Sequence, residues 1–131
     1  MILVDTSVWI DFFRRRKDLV SEFNLLLEAQ KLLAYEPVFS ELLFGIRNER
    51  EGKIIRSFWE VLPKVEFASG SMLKAAELAS SADFQNKGIG LMDALIIEAC
   101  MENEYLLWTF DKGILNYLDS RYQYPSRGSS S

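Results

Sequence analysis

The chain has 131 residues, of which 49% are apolar and 26% are charged, a composition typical of one globular domain rather than of a disordered segment. Its net charge of −4 is unlike the basic character of most nucleic-acid-binding domains, although a bound divalent cation would offset part of an acidic cluster. There is no histidine and one cysteine, which excludes histidine-dependent catalysis, internal disulfides and thiolate zinc sites.

Two features of the sequence bear on cellular location. No apolar run reaches the roughly 18 residues that a membrane span needs. No basic segment precedes the first apolar run, as it would in a signal peptide. We therefore expect a cytoplasmic protein that does not insert into a membrane.

The first half of the chain alternates short apolar strands with amphipathic helices. The apolar runs are too short for helices, whereas the helical segments repeat their apolar residues every three or four positions. In chain order the predicted elements are a strand at 1–4, helices at 8–13 and 19–30, a strand at 32–35, and helices from Pro37 toward 45–47 and over 50–60.

The second half continues this alternation. The predicted elements are a weak strand at 65–67, helices at 71–86 and 92–103, a strand at 105–109 and a short helix at 114–118. Strands that alternate with helices predict an α/β fold, with a central parallel sheet flanked by helices. We expect one domain over residues 1–123, followed by a tail at 124–131 that is flexible or a remnant of expression.

Four carboxylates occur in apolar surroundings. Asp5 ends the first predicted strand and Asp111 follows the last one, whereas Glu41 and Asp93 are set within apolar helical segments. Ionised carboxylates are seldom buried unless they are paired or bound to a metal. Sites in parallel α/β folds lie beyond the carboxyl ends of the strands. The pattern therefore predicts one convergent acidic site.

Such a cluster of acids would repel itself without a counter-charge, and a divalent cation would supply that charge. All-oxygen ligands suit Mg²⁺ and Mn²⁺, which promote hydrolysis of phosphodiesters. Each acid also has a simpler interpretation, because Asp5 and Asp93 could cap or complement a helix and Asp111 could be a turn residue. The neighbouring hydroxyls could orient a ligand or cap turns; these are Thr6, Ser7 and Thr109.

Four segments in the same order and spacing resemble PIN domains, and most closely the VapC-type toxins of toxin–antitoxin pairs. They are residues 1–11, 40–45, 90–96 and 107–111, and the resemblance extends from residue 1 to about residue 118. The resemblance implies a parallel sheet flanked by helices and an Mg²⁺- or Mn²⁺-dependent endoribonuclease. It also implies metal ligands at Asp5, Glu41, Asp93 and Asp111.

The same resemblance implies a homodimer and inhibition by a VapB-like antitoxin whose segment enters the active groove. Arg47 or Arg50 is then expected to contact RNA phosphate or the antitoxin. The basic run 14–17 either lines an RNA groove, through Arg14 and Arg15, or is a solvated face. One position departs from the family pattern: many relatives have another Asp two residues after the fourth acid, where this chain has Gly113.

Other functions remain open at this stage. A housekeeping RNA-processing nuclease of the same family would use the same acids, and a catalytically inactive binding module would keep only the fold. A phosphatase of the haloacid-dehalogenase type needs a second Asp two residues after the first, where Ser7 stands. A signalling receiver domain needs an acidic pair near the first strand, which is not evident.

Overall fold

The computed structural model describes residues 1–126. Their elements alternate along the chain much as the sequence predicts. The strands are β1 (Ile2–Val4), β2 (Leu32–Leu33) and β3 (Leu106–Trp108), and the helices are α1 (Thr6–Phe13), α2 (Lys17–Glu28), α3 (Glu36–Phe44), α4 (Glu49–Val61), α5 (Ser71–Ser81), α6 (Leu91–Asn103) and α7 (Lys112–Tyr117). Short 3₁₀ turns lie at Phe84–Lys87 and Ser120–Tyr122.

The three strands form a parallel sheet in the order β2–β1–β3, as the α/β prediction requires. Ile2 of the central strand pairs with Leu32 on one side and with Leu106 on the other. All three residues of β1 are buried, because helices cover both faces of a parallel sheet. The order places the ends of β1 and β3 side by side, although they are about a hundred residues apart in sequence.

The outer edges of the sheet are shorter than predicted. The weak strand at 65–67 is reduced to one parallel bridge between Ala34 and Lys64. A second parallel bridge joins Leu107 to Gln123. The helix predicted over 71–86 ends at Ser81 instead, because Asp83 adopts a left-handed backbone (φ 58°) that an α-helix cannot accommodate.

An aromatic cluster holds the first helix in place. The ring of Trp9, which is fully buried, lies 5.0 Å from that of Phe23 on α2, 5.2 Å from that of Phe39 on α3 and 5.3 Å from that of Phe58 on α4. Edge-on contacts of this kind add to the hydrophobic stabilisation from burying the rings. Because α1 begins directly after β1, this packing also fixes the direction in which its first residues point.

Part of the predicted tail lies against the domain. Tyr124 packs on Trp108 at 4.9 Å and donates a hydrogen bond from its hydroxyl to Glu22 at 2.6 Å, and Ser126 donates to the same carboxylate at 2.9 Å. The flexible tail predicted from residue 124 is therefore anchored over 124–126, while 127–131 lie outside the described residues. The domain boundary itself stays a prediction. No helix within 1–126 combines the length and the apolar character that a membrane crossing requires.

Candidate metal centre

The site begins where β1 and β3 end side by side. The backbone N–H of Asp5 donates to the carbonyl of Trp108 at 2.9 Å, which joins the first residue beyond β1 to the last residue of β3. Asp5 and Thr109 are the two buried polar residues among those described, with 4% and 5% of their surfaces exposed. Parallel strands thus deliver both side chains to one edge of the sheet, the edge at which the sequence predicts Asp5 and Asp111.

Two hydroxyls hold the carboxylate of Asp5. Ser7 Oγ donates to Asp5 Oδ2 at 2.9 Å, and Thr109 Oγ1 donates to the same oxygen at 2.7 Å. Each hydroxyl in turn accepts a backbone N–H from the segment after β3: Ser7 from Phe110 at 3.1 Å and Thr109 from Asp111 at 3.0 Å. Asp5 makes no side-chain cap to α1. Its other oxygen, Oδ1, therefore remains the one that can face a ligand.

Glu41 differs from Asp5 in its exposure. It lies on α3 and is exposed, and its Oε1 accepts a hydrogen bond from Thr6 Oγ1 at 2.8 Å. The expectation that all four acids would be buried is wrong for this residue, because Glu41 sits on the solvent side of an otherwise apolar helix. Asp93 and Asp111 are partly buried. Asp5 alone among the four is fully withdrawn from water.

The electrostatics of Asp93 connect the four acids. Burial raises its pKa to about 6, with further contributions from the negative charges of Asp5, Asp111 and Glu41. A backbone hydrogen bond from Gly90, at the start of α6, acts in the opposite direction. Three separate segments therefore bring negative charge close enough to oppose ionisation of the fourth acid. This is the like-charge repulsion that a bound cation would relieve.

Asp111 has a structural role, as the simpler interpretation predicts, and its role as a metal ligand stays a prediction. It is the N-cap of α7, and its Oδ1 accepts the backbone N–H of Ile114 at 2.9 Å. A Cβ atom added at Gly113 would lie 3.2 Å from that same oxygen. The glycine at the position where relatives carry an acid thus leaves room for the cap. The cap leaves the second oxygen of Asp111, Oδ2, without a hydrogen bond to the helix.

The chemistry of the candidate ligands suits a hard divalent cation. Every candidate ligand is a carboxylate oxygen, and one of them is pre-oriented by two hydroxyls, which suits Mg²⁺ or Mn²⁺. The side chains of residues 1–126 are not drawn together into a metal-binding cluster of three or more. Ligation by all four acids would therefore require side-chain movements.

The predicted basic residues fall into two groups. Arg14 and Arg47 line one groove of about 330 Å³ between α1, the end of α3 and α4. Arg47 pairs with Glu51 at 3.5 Å and keeps 84% of its side chain exposed. Arg15 and Arg50 are exposed and are not among the residues that line this groove.

Sequence reasoning missed Arg16. Its guanidinium contacts Asp11 at 2.9 Å and Asp18 at 3.0 Å, and it lies 5.0 Å above the ring of Phe110, which adjoins Asp111. The run of basic residues gave no signal that one member would turn inward. The only sequence feature that could have indicated this orientation is the pair of acids five residues before Arg16 and two residues after it.

Comparison with known proteins identifies the class. The model of the PIN domain family matches residues 2–118, nearly the whole described chain, and the chain belongs to that family. PIN domains are nucleases, which are hydrolases, and they generally use divalent metal ions. No curated protein matches the chain by sequence.

Solved structures share the fold. One is VapBC2 from Rickettsia felis, bound to a DNA fragment from its promoter, with 19% identity, a TM-score of 0.68 and coverage of 90% of this chain and 93% of that one. Another is a toxin–antitoxin complex from Klebsiella pneumoniae, with 18% identity, a TM-score of 0.68 and coverage of 95% and 100%. FitAcB from Neisseria gonorrhoeae is 20% identical, with a TM-score of 0.60 and coverage of 86% and 89%.

Proposed function

We propose that this protein is an endoribonuclease that requires Mg²⁺ or Mn²⁺ and acts in the cytoplasm as the toxin of a toxin–antitoxin pair. The observation that carries the proposal is the buried carboxylate of Asp5 at the joined ends of β1 and β3, where Ser7 and Thr109 hold one of its oxygens. Burial and the nearby charges of the other acids also raise the pKa of Asp93. Membership of a nuclease family supports the reaction class. Solved toxin–antitoxin complexes with the same fold support the biological setting.

In this proposal the four acids hold the cation, and the hydroxyls hold the acids. Asp5 offers Oδ1 because Ser7 and Thr109 occupy Oδ2. Thr6 restrains Glu41 on the opposite side of the site through its 2.8 Å hydrogen bond. The bound cation would activate water and stabilise negative charge on the phosphoryl group. With no histidine in the chain, proton transfer would depend on carboxylates and water.

The groove that carries Arg14 and Arg47 suits a partner segment. The groove starts one helical turn beyond the Thr6–Glu41 contact, counted along α1 and along α3. Its lining is largely apolar. Ile10, Ile46 and Ile54 are each 37–40% exposed there. An antitoxin segment with apolar side chains and an acidic residue for Arg14 would cover this surface and block the acids. Arg15 and Arg50, outside the groove, are proposed to contact RNA phosphates.

We also propose that the protein forms a homodimer. Met72 and Leu73, on α5, expose 46% and 70% of their surfaces on the outside of the domain. Exposed apolar side chains that adjoin each other are a common feature of protein–protein interfaces. Light scattering of the purified chain would give the molar mass directly, and a monomer at micromolar concentration would contradict the proposal.

The decisive experiment is cleavage of RNA by the Asp93→Asn variant. We expect the loss of one ligand charge to reduce the rate at least about 1,000-fold, which corresponds to about 4 kcal/mol of barrier, with an unchanged circular dichroism spectrum. Excess EDTA should abolish wild-type activity, and Mn²⁺ should restore it. Glu28→Gln, at the exposed end of α2, is the matched control and should retain full activity.

Undiminished cleavage by Asp93→Asn, or full activity in EDTA, would contradict the metal-dependent mechanism. The toxin assignment has a separate test. The product of a short reading frame beside this gene should bind the chain and inhibit cleavage. Failure of any adjoining product to inhibit would favour the housekeeping nuclease, and absence of all cleavage would favour the inactive binding module.

A further inference from the structure

Arg16 is anchored unlike its basic neighbours. Its Nη1 donates to Asp11 on α1 at 2.9 Å, and its Nε donates to Asp18 on α2 at 3.0 Å. Only 23% of its side chain is exposed, whereas Arg14 and Arg15 are exposed. Charge-assisted bonds to two carboxylates fix the plane of a guanidinium more firmly than a single surface pair does.

The fixed guanidinium lies against the segment that carries the fourth acid. Its central carbon is 5.0 Å from the centre of the Phe110 ring, a distance at which a cation and an aromatic face attract each other. The backbone N–H of Phe110 donates to Ser7 Oγ, and Ser7 donates to Asp5. Contacts therefore run without a break from the turn between α1 and α2 to the buried acid.

Beyond β3, two backbone amides join the chain to the acid site, while the Phe110 ring packs against the core. Residues 109–111 lie beyond the last paired residue of the sheet and before the first turn of α7. The amide of Phe110 reaches Ser7 and that of Asp111 reaches Thr109, and both hydroxyls converge on Asp5 Oδ2. A shift of the Phe110 ring would therefore disturb both hydroxyls that orient Asp5, together with the position of Asp111.

We propose that Arg16 is a positioning residue of the acid site, which holds Phe110 so that Asp5 and Asp111 face the same cation. The inference rests on the proposed function, because it assigns a role toward the same metal site. Arg16 pairs with Asp11 and Asp18 rather than with any of the four candidate ligands. Its effect passes through the Phe110 ring and the two backbone amides of residues 110 and 111.

Hydrogen exchange tests the positioning without metal or RNA. In metal-free Arg16→Met, the amides of Phe110 and Asp111 should exchange about tenfold faster than in the wild type, since local opening becomes easier. Arg15→Met removes the same charge from an exposed neighbour and should leave both amides unchanged. Equal exchange at these amides in the wild type and Arg16→Met would overturn the proposal, whatever the protein's activity.

Mn²⁺ affinity gives a second readout, because a positioning role and a purely electrostatic role of Arg16 predict changes in affinity in opposite directions. If Arg16 acted only through its charge, its removal would strengthen cation binding by the acids. Positioning predicts about tenfold weaker binding in Arg16→Met, comparable to the loss of other groups that orient metal ligands. Arg16→Lys keeps the charge but loses the planar fork, and its affinity should fall between those of the wild type and Arg16→Met. Tighter or unchanged binding in Arg16→Met would overturn the proposal.

A double-mutant cycle tests the route through the ring. Phe110→Leu keeps apolar bulk but removes the aromatic face, so its effect on Mn²⁺ affinity should not add to that of Arg16→Met. Additive effects would overturn the role of Phe110. A wild-type chain that binds no Mn²⁺ would instead contradict the proposed function, and hydrogen exchange would still decide whether Arg16 orders residues 110 and 111.

Discussion

The two sides of the acid site are built differently. On one side Asp5 is buried, and two hydroxyls fix one of its oxygens. On the other side Glu41 stands exposed on α3 with a single hydroxyl contact from Thr6. The first side is rigid before any ligand arrives, whereas the second can adjust. Under the proposed function, such a site would combine a preorganised ligand with one that can follow the substrate.

This difference between Asp5 and Glu41 should have its largest effect on the rate of RNA cleavage. Asp5→Asn is expected to lower RNA cleavage at least about 1,000-fold, because no mobile group can replace a buried, oriented charge. Glu41→Gln should lower it about 10- to 100-fold, because water can substitute for an exposed ligand. Rates with saturating Mn²⁺ would compare the two variants. A Glu41→Gln loss equal to that of Asp5→Asn would mean that the two sides contribute alike.

The hydroxyls should show the same contrast at a smaller scale. Thr109→Val removes the bond to Asp5 and leaves the Asp111 amide unpaired, which should cost about 1–3 kcal/mol of unfolding free energy. Thr6→Val removes one exposed hydrogen bond and should change stability by no more than about 0.5 kcal/mol. Urea denaturation of both variants measures the difference. Similar losses in the two would contradict the division into a rigid and an adjustable side.

The smallest expected effect is a dependence of metal-free stability on pH. Because the folded pKa of Asp93 is raised to about 6, the folded chain binds more protons than the unfolded chain between about pH 4 and pH 6. The contribution of Asp93 to the free energy of unfolding is therefore fully present below about pH 4 and is lost as the pH rises to about 6. In EDTA at pH 7, Asp93→Asn should be more stable than the wild type by about 1–2 kcal/mol, after a discount for its partial exposure.

Denaturation midpoints measured from pH 4 to pH 8 would test this expectation. The curves of the wild type and Asp93→Asn should converge at the acid end, separate between about pH 4 and pH 6, and stay apart above pH 6. Saturating Mn²⁺ should remove the advantage of the variant, since the cation stabilises only the ionised carboxylate. Parallel curves across the whole range would show that neither burial nor the charges of the other acids raise the pKa of Asp93.

Much of the site could be read from the sequence because its chemistry is local. The carboxylates at 5 and 111 follow apolar strands, and a parallel sheet must bring adjacent strand ends to one edge. The end of the helix predicted over residues 71–86 was harder to predict, because the alanine-rich helical pattern continues past Ser81. The helix stops there because the backbone of Asp83 is left-handed. A local conformation of this kind does not alter hydrophobic periodicity.

The sequence by itself determined the α/β class and the order of elements, and it singled out four candidate acids, because apolar periodicity and acids in apolar segments are properties of the chain. Only the tertiary structure decided which acid is buried and which exposed, since that depends on how α3 is rotated against the sheet. It also decided that Arg16 turns toward Phe110 while Arg15 faces solvent. Four adjacent basic residues look alike in sequence, and their environments differ only after the helices have packed.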